Sequence, residues 1–176
     1  MAKPVTGSDQ SSSSEEVLQA WLAIAANIEK AITGLSEAEL DRRGEPDAWS
    51  IRETVHHLVE ANFVASNILL AGLARNGSAV YDWSWVIPDA AWMQSMRYAT
   101  APVGPALNAL RALQEHFAEL IGNIPDALKR EVKLLDAPGA ETHTETVAAI
   151  LRQEVEHADH HLSAAKEVIA AAGGAG

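Results

Sequence analysis

Histidine is the residue type in this chain best suited to chemistry, because imidazole is the commonest protein ligand for transition metals. Five of the seven histidines fall in two clusters: His56 and His57, then His157, His160 and His161. Both clusters lie in segments with helical periodicity, and His157 and His161 stand one turn apart on the same helix face. A third imidazole from the other cluster would complete a three-histidine site with open coordination positions, which is typical of a catalytic metal.

Helical wheels select three of these five residues. His57 lies at the edge of the apolar face of its helix, whereas His56 points about 100° away among polar residues. In the later helix His157 and His161 share a stripe with apolar residues, and His160 lies on the polar side. The predicted metal ligands are therefore His57, His157 and His161. His56 and His160 are predicted to be their neighbours in the second shell, with solvent as the alternative surrounding for His56.

A plainer interpretation is that these are hydrogen-bonded or solvated histidines of an acidic protein, and we prefer it for the isolated His116 and His143. His143 is expected in the first turn of the last helix. Glu154 flanks the proposed ligands and is the candidate catalytic residue, as a general base acting on bound water. It could also be a metal ligand or a salt-bridging surface residue, and the surface role is slightly favoured.

Composition narrows the classes of function. The 176 residues suffice for one domain with its own core. There is no cysteine, which excludes disulfides, thiolate ligands and cysteine nucleophiles. The net charge of −11 argues against nucleic acid or an anionic membrane as a partner. No uncharged apolar stretch approaches the ~18–20 residues that span a bilayer, and the N-terminus lacks the apolar region of a secretory signal. We expect a cytoplasmic protein.

Periodicity and capping signals predict four long helices. The first opens at Ser13 and closes at Gly34, followed by a short turn of helix at 36–39. The second runs from Ser50 to about residue 75 and stops at Asn76-Gly77. The third begins at 100–102 and ends near 121, and the last opens at Thr142 with the capping-box partner Glu145 and ends near 171.

The predicted fold class is therefore all-α, a four-helix bundle formed by residues 15–172 as a single domain. Residues 1–14 are expected to be a disordered lead and residues 173–176 a frayed tail. The segment KREVKLL could extend briefly, but nothing obvious would pair with it, so no strand is expected.

A long aromatic loop, residues 76–100, separates the second and third helices. Links of this length are usually functional or disordered, and its aromatic content argues against disorder. Trp83, Trp85 and Trp92 are candidates for lining a substrate pocket, although such residues more often pack against the bundle.

Several motifs resemble the DinB/YfiT-like metalloenzymes. The segment from Trp49-Ser50 to His57-Leu58 is similar to the family's W-S-x-x-E-x-x-x-H-L element, and residues 157–162 resemble its final-helix pair of histidines. Residues 35–40 and the stretch 100–103 also fit, the latter leaning toward the YfiT branch and the related bacillithiol S-transferases. The resemblance spans about residues 15–170.

The resemblance implies a four-helix bundle that binds a divalent metal, nickel or zinc, through three histidines. Transferred position by position, these are His57, His157 and His161. It also implies a homodimer and a small-molecule substrate, with a low-molecular-weight thiol as a cofactor in some relatives. The chain departs from the YfiT branch at Glu156 and Asp159, where that branch tends to have aromatic and basic residues, so the resemblance does not identify the substrate.

The sequence thus predicts a metal-dependent enzyme, either a hydrolase or a thiol S-transferase. The alternative is a non-catalytic bundle in which a metal is structural or a ligand binds without turnover. A fourth protein ligand that closes the metal's coordination shell would favour this alternative.

Overall fold

The computed structural model describes residues 14–173, which form a helical bundle with a small sheet at one side. The helices are α1 (Ser14–Leu22), α2 (Ile24–Ile32), α3 (Glu37–Leu40), α4 (Ile51–Arg75), α5 (Ala90–Met96), α6 (Val103–Asn123) and α7 (Val147–Gly173). The strands are β1 (Val80–Asp82), β2 (Glu131–Leu135) and β3 (His143–Thr146), and short 3₁₀ turns cover Tyr98–Thr100 and Ala127–Lys129.

The four predicted long helices are present, with α1 and α2 together taking the place of the first. The interruption between them is local, because Ala23 keeps a right-handed helical backbone and its N–H still bonds to the carbonyl of Gln19 at 3.1 Å. The predicted cap at Ser13 lies outside the described residues. α4 packs against both α6 and α7, so it is the central helix of the bundle.

The ends of α4 agree with the sequence signals. Ser50 Oγ accepts the Glu53 backbone N–H at 3.2 Å, and the Glu53 carboxylate accepts the Ser50 N–H at 2.8 Å, so both donors of the capping box are satisfied. At the other end Asn76 adopts the left-handed conformation with φ of 41°, which terminates the helix. Ser36 and Glu39 form a second capping box at α3.

The expectation that the chain has no strands is wrong. β2, which contains the segment EVKLL, pairs in parallel with β1 and antiparallel with β3. Val132 and Leu134 alternate inward from β2 and are buried against the helices. The sheet approaches α4 closely at Gly72, where a Cβ atom would lie 3.6 Å from the Glu131 carbonyl oxygen and from Val132 Cβ of β2, and 3.2 Å from a methyl group of Val147 at the start of α7.

The predicted start of the last helix is also wrong. Residues 143–146 form β3, so Thr142 and Glu145 do not make a capping box, and His143 lies on a strand rather than in a helix. α7 begins at Val147, and Thr146 Oγ1 accepts the Ala149 N–H at 3.1 Å, which supplies the cap. The strand takes these residues because β2 offers them a backbone partner.

α4 has the length and mean hydropathy of a membrane-crossing helix, which the sequence analysis did not anticipate. More than half of its most apolar window, 56%, is buried inside the bundle. Its apolar character is therefore explained by its position at the centre of the core, where a helix is enclosed on most sides.

A buried polar link joins three of the bundle helices. Trp21 Nε1 of α1 donates to Asn62 Oδ1 of α4 at 2.8 Å, and Asn62 Nδ2 donates to the Leu58 carbonyl at 2.9 Å. Gln114 Nε2 of α6 donates to the Trp21 carbonyl at 2.5 Å. Since these groups are buried, each bond also prevents an unsatisfied polar atom in the core.

We expect Asn62→Ala to lower the free energy of unfolding by about 1–3 kcal/mol, because it leaves the Trp21 indole N–H buried without an acceptor. Urea denaturation measures the change. Asn67→Ala is the matched control, since Asn67 bonds to the carbonyl four residues earlier in the same way but is exposed. Its expected effect is below about 0.5 kcal/mol, and equal losses in both variants would contradict the assignment.

Candidate metal centre

The histidines selected by helical geometry meet at one point. His57 comes from α4, and His157 and His161 come from consecutive turns of α7, with their candidate ligand atoms all within 4.8 Å of one another. His57 Nε2 lies 3.0 Å from His157 Nε2. Two nitrogens each ~2.1 Å from one ion would be ~3.0 Å apart at a right angle and ~3.4 Å apart at the tetrahedral angle, so the two rings are close enough to share an ion.

The position of His57 is fixed by the first turns of α4. Arg52, whose side chain is only 5% exposed, bonds to Asp41 at 2.7 Å and to Glu37 at 2.6 Å, and also donates to the Ala101 carbonyl at 3.2 Å. These contacts tie α3 and the residue before α6 to the same end of α4. The helix that carries His57 therefore begins at a well-anchored point.

Burial keeps the three imidazoles neutral. It lowers the pKa of His57 to about 3 and that of His161 to about 4, with the neighbouring histidines adding to the effect. Burial also lowers the pKa of His157, again with a contribution from a neighbouring histidine. Neutral imidazoles present lone pairs, which is the form that binds a metal ion.

Trp49 is a residue of the site that sequence reasoning missed. Its ring centroid lies 4.5 Å from that of His57, and it stacks on His161 at 5.6 Å with an interplanar angle of 14°. Trp49 precedes the cap of α4, so a helical wheel cannot assign its direction. The sequence clue to its role was its position in the Trp-Ser element, which is one of the motifs that resemble the family.

The two neighbouring histidines differ in their surroundings. His56 is buried, contrary to the solvent-facing alternative: its ring stacks on Tyr98 at 4.9 Å and its Nε2 lies 3.1 Å from the Ala101 carbonyl oxygen. It therefore contacts the segment before α6 and points away from the three-histidine group. His160 is exposed, and its ring lies edge-on to that of His161 at 5.2 Å.

A cavity of about 300 Å³, here called the histidine cavity, adjoins the group. This volume is at the lower end of the range for small-molecule sites. Most of the walls are apolar, and the cavity lies between α4, α7, β2 and the loop after β1. Its lining residues are His57, Glu60, Ala61, Val64, Ala65, Ile68, Trp83, Val86, Pro88, Leu134, Ile150, Gln153, Glu154 and His157.

Glu154 is half-buried and lines this cavity, with its Oε2 atom buried. Its Oε2 has no hydrogen-bond partner within residues 14–173, and burial raises the pKa of the side chain to about 7. The favoured surface salt bridge is therefore wrong, because the carboxyl end faces into the protein. A carboxyl group with a pKa near neutral can accept a proton and return it.

The three loop tryptophans do not share one role. Trp83 lines the histidine cavity and its Nε1 donates to Asp136 at 2.7 Å. Trp92 Nε1 donates to Glu60 of α4 at 2.8 Å, which attaches the loop to the bundle. Trp85 stacks on Trp92 at 6.0 Å and is 58% exposed. The cavity lining given above contains Trp83 but neither of the other two.

Without metal, the protein should lose stability as the pH falls through about 6.5. A histidine whose pKa is lowered by folding is neutral in the folded protein, so below the unfolded value of ~6.5 protons bind the unfolded chain preferentially. The loss continues toward the folded values of about 3 and about 4 for His57 and His161. We expect a decrease of at least ~1.4 kcal/mol between about pH 6.5 and about pH 5, the equivalent of one pKa unit.

Urea denaturation in the presence of a chelator measures this dependence across that interval. His57→Phe removes one of the titrating histidines and should make the free energy of unfolding depend less on pH, because an apolar ring of similar size has no proton to gain. A dependence on pH that is no steeper in the original chain than in His57→Phe would contradict the lowered pKa of His57.

Comparison with known proteins agrees with this architecture. Two curated relatives carry the name "Putative metal-dependent hydrolase". The one from Geobacillus kaustophilus is 23% identical over 114 residues, 62% of each protein. The one from Geobacillus thermodenitrificans is 22% identical over 116 residues, 64% of this chain and 63% of the relative. The chain thus spans less than two thirds of the length of these relatives.

A solved structure shows the same fold. YfiT from Bacillus subtilis, described as "a probable metal-dependent hydrolase with an unusual four-helix bundle topology", superposes with a TM-score of 0.76 at 21% identity, covering 98% of this chain and 94% of the other. The predicted four-helix bundle is confirmed. The sequence pattern of the DinB superfamily matches residues 20–165. This chain belongs to the DinB superfamily.

Proposed function

We propose that this protein is a metal-dependent hydrolase of small molecules in which His57, His157 and His161 bind Zn²⁺ or Ni²⁺. The observation that carries the proposal is the convergence of three neutral imidazoles beside a largely apolar cavity. The names of the two relatives support a metal-dependent hydrolase over other classes. Nitrogen ligands of this kind suit zinc and nickel alike, so the choice of ion follows availability.

A bound divalent ion would polarise a substrate carbonyl and lower the pKa of a water molecule. The chain's own residues supply the surroundings. Trp49 restrains the rings of His57 and His161 by packing against both. In this proposal Glu154, whose Oε2 has no partner among the described residues, holds the proton that water loses and returns it to the leaving group. The largely apolar walls lower the local dielectric, which strengthens each of these electrostatic interactions.

Two observations favour hydrolysis over the alternatives. Thiol transfer with an anionic thiol cofactor would call for a basic side chain, and the lining of the histidine cavity contains neither lysine nor arginine. A structural metal would call for a fourth protein ligand, whereas the group found within residues 14–173 has three. Our proposal also includes a cytoplasmic location and a homodimer, and it includes no nucleic-acid partner because the net charge is −11.

The metal site is tested by binding alone. We expect the purified, chelated protein to take up one Zn²⁺ per chain in calorimetry, and His57→Ala to weaken the affinity by more than about 100-fold, beyond the effect of losing an outer-shell partner. His116→Ala is the control, because His116 is an exposed histidine of α6 outside the group. Equal affinities of the two variants would refute the three-histidine site.

The reaction is tested with the metal-loaded protein on a panel of esters and amides, and in parallel with thiols and a chlorinated dinitrobenzene. We expect hydrolysis that disappears with chelator and returns with Zn²⁺ or Ni²⁺. Glu154→Gln should lower the rate by about 10²–10⁴-fold as proton handling is lost, whereas the exposed Glu156→Gln should not. Thiol conjugation without hydrolysis would replace our proposal with a transferase, and failure of both reactions would favour a non-catalytic bundle.

A further inference from the structure

The polar side chains that line the histidine cavity offer hydrogen-bond acceptors but no lysine or arginine. Besides the two histidines, its polar lining consists of Glu60, Gln153 and Glu154, and the lining residues include neither lysine nor arginine. The chain as a whole carries a net charge of −11. In the metal-free protein, an anionic ligand entering this cavity would meet carboxylates and no positive side chain that offsets the cost of its desolvation.

Only one of the two carboxylates is available to a ligand. Glu60 accepts the Trp92 indole N–H at 2.8 Å and also shares a side-chain hydrogen bond with Tyr98. Its acceptors therefore hold the aromatic loop against α4. Glu154 Oε2 is different, because it is buried and has no partner in the part of the chain that the structure describes.

A buried carboxylate oxygen without a donor is costly, and such atoms in native proteins call for an explanation. The simplest explanation is that a bound ligand supplies the missing hydrogen-bond donor. The walls around it come from Val64 and Ile68 of α4, Leu134 of β2 and Ile150 of α7, with Trp83 above them. These apolar walls fit the hydrocarbon or aromatic part of a ligand rather than a sugar or a phosphate.

We propose that the histidine cavity binds apolar molecules that carry an N–H donor, as a protonated amine or as the N–H of an amide, and that this group donates to Glu154 Oε2. The catalytic part of this inference rests on the proposed function. In that function the substrates are amides of apolar amines, and the amine end occupies the cavity. Binding itself requires only the cavity and Glu154, so it is measurable without the metal.

The experiment uses three probes with the same phenyl ring and propyl chain: 3-phenylpropylamine, 3-phenylpropanol and 4-phenylbutanoate. Calorimetry or ligand-observed NMR gives their affinities for the chelated full-length protein at about pH 8, where a primary amine is protonated. We expect the amine to bind about tenfold or more tightly than the alcohol, through a charge-assisted hydrogen bond. The carboxylate should bind more weakly than either.

In Glu154→Gln the affinity for the amine should fall to within about twofold of the affinity for the alcohol, because the substitution removes the negative charge and keeps the shape of the side chain. Glu156→Gln, an exposed neighbour on the same helix, is the matched control and should leave the ranking unchanged. Circular dichroism checks that both variants fold, and an intermolecular NOE between the phenyl ring and the Trp83 indole locates the probe in the original chain.

Several results would overturn the inference: no binding of the amine, an equal or tighter affinity for the carboxylate, or an unchanged preference in Glu154→Gln. Zinc titration of the same preparation separates this inference from the proposed function. A protein that prefers the amine and binds no zinc would refute only the metal-dependent hydrolase. A protein that binds zinc at the three histidines and shows no amine preference would refute only the substrate class.

Discussion

The packing of α4 against α7 is the contact on which the remaining features of this protein depend. Leu58 of α4 and Ala158 and Leu162 of α7 are buried next to the histidines, so burial of apolar area holds the two helices together at the level of the site. That same burial removes water from the imidazoles and keeps them neutral. Hydrophobic packing thus does two things at once: it brings together residues a hundred positions apart and it gives them the protonation state that a cation requires.

The two ends of α4 are held by different contacts. At its start, buried Arg52 joins α3 and the segment before α6 to one turn of helix, and Ser50 caps that turn. At its far end, Gly72 admits the sheet to within van der Waals distance. His57 lies between these anchors, in the second turn. A helix fixed at both ends has little freedom to rotate about its axis, which is the motion that would carry His57 away from α7.

Much of this was readable in the sequence. A period of 3.6 residues is a local property, so it located α4 and α7 and separated His57 from His56 without a structure. The strands were not readable, because β1 has only three residues and its partner β2 lies some fifty residues later, and pairing at such a distance leaves no local trace. The same limit explains Thr142 and Glu145, whose capping-box spacing was overridden by β2. Trp49 and the buried orientation of Glu154 depend on side-chain directions that only the assembled bundle defines.

The sheet holds the start of the loop that covers the histidine cavity. Trp83 and Val86, which line this cavity, follow β1, and the backbone of β1 pairs with β2. These two residues belong to neither α4 nor α7, so their side chains can be exchanged without altering the helices that carry the three histidines. The shape of the cavity on this side can thus vary through two loop positions while the three histidines keep their places on α4 and α7.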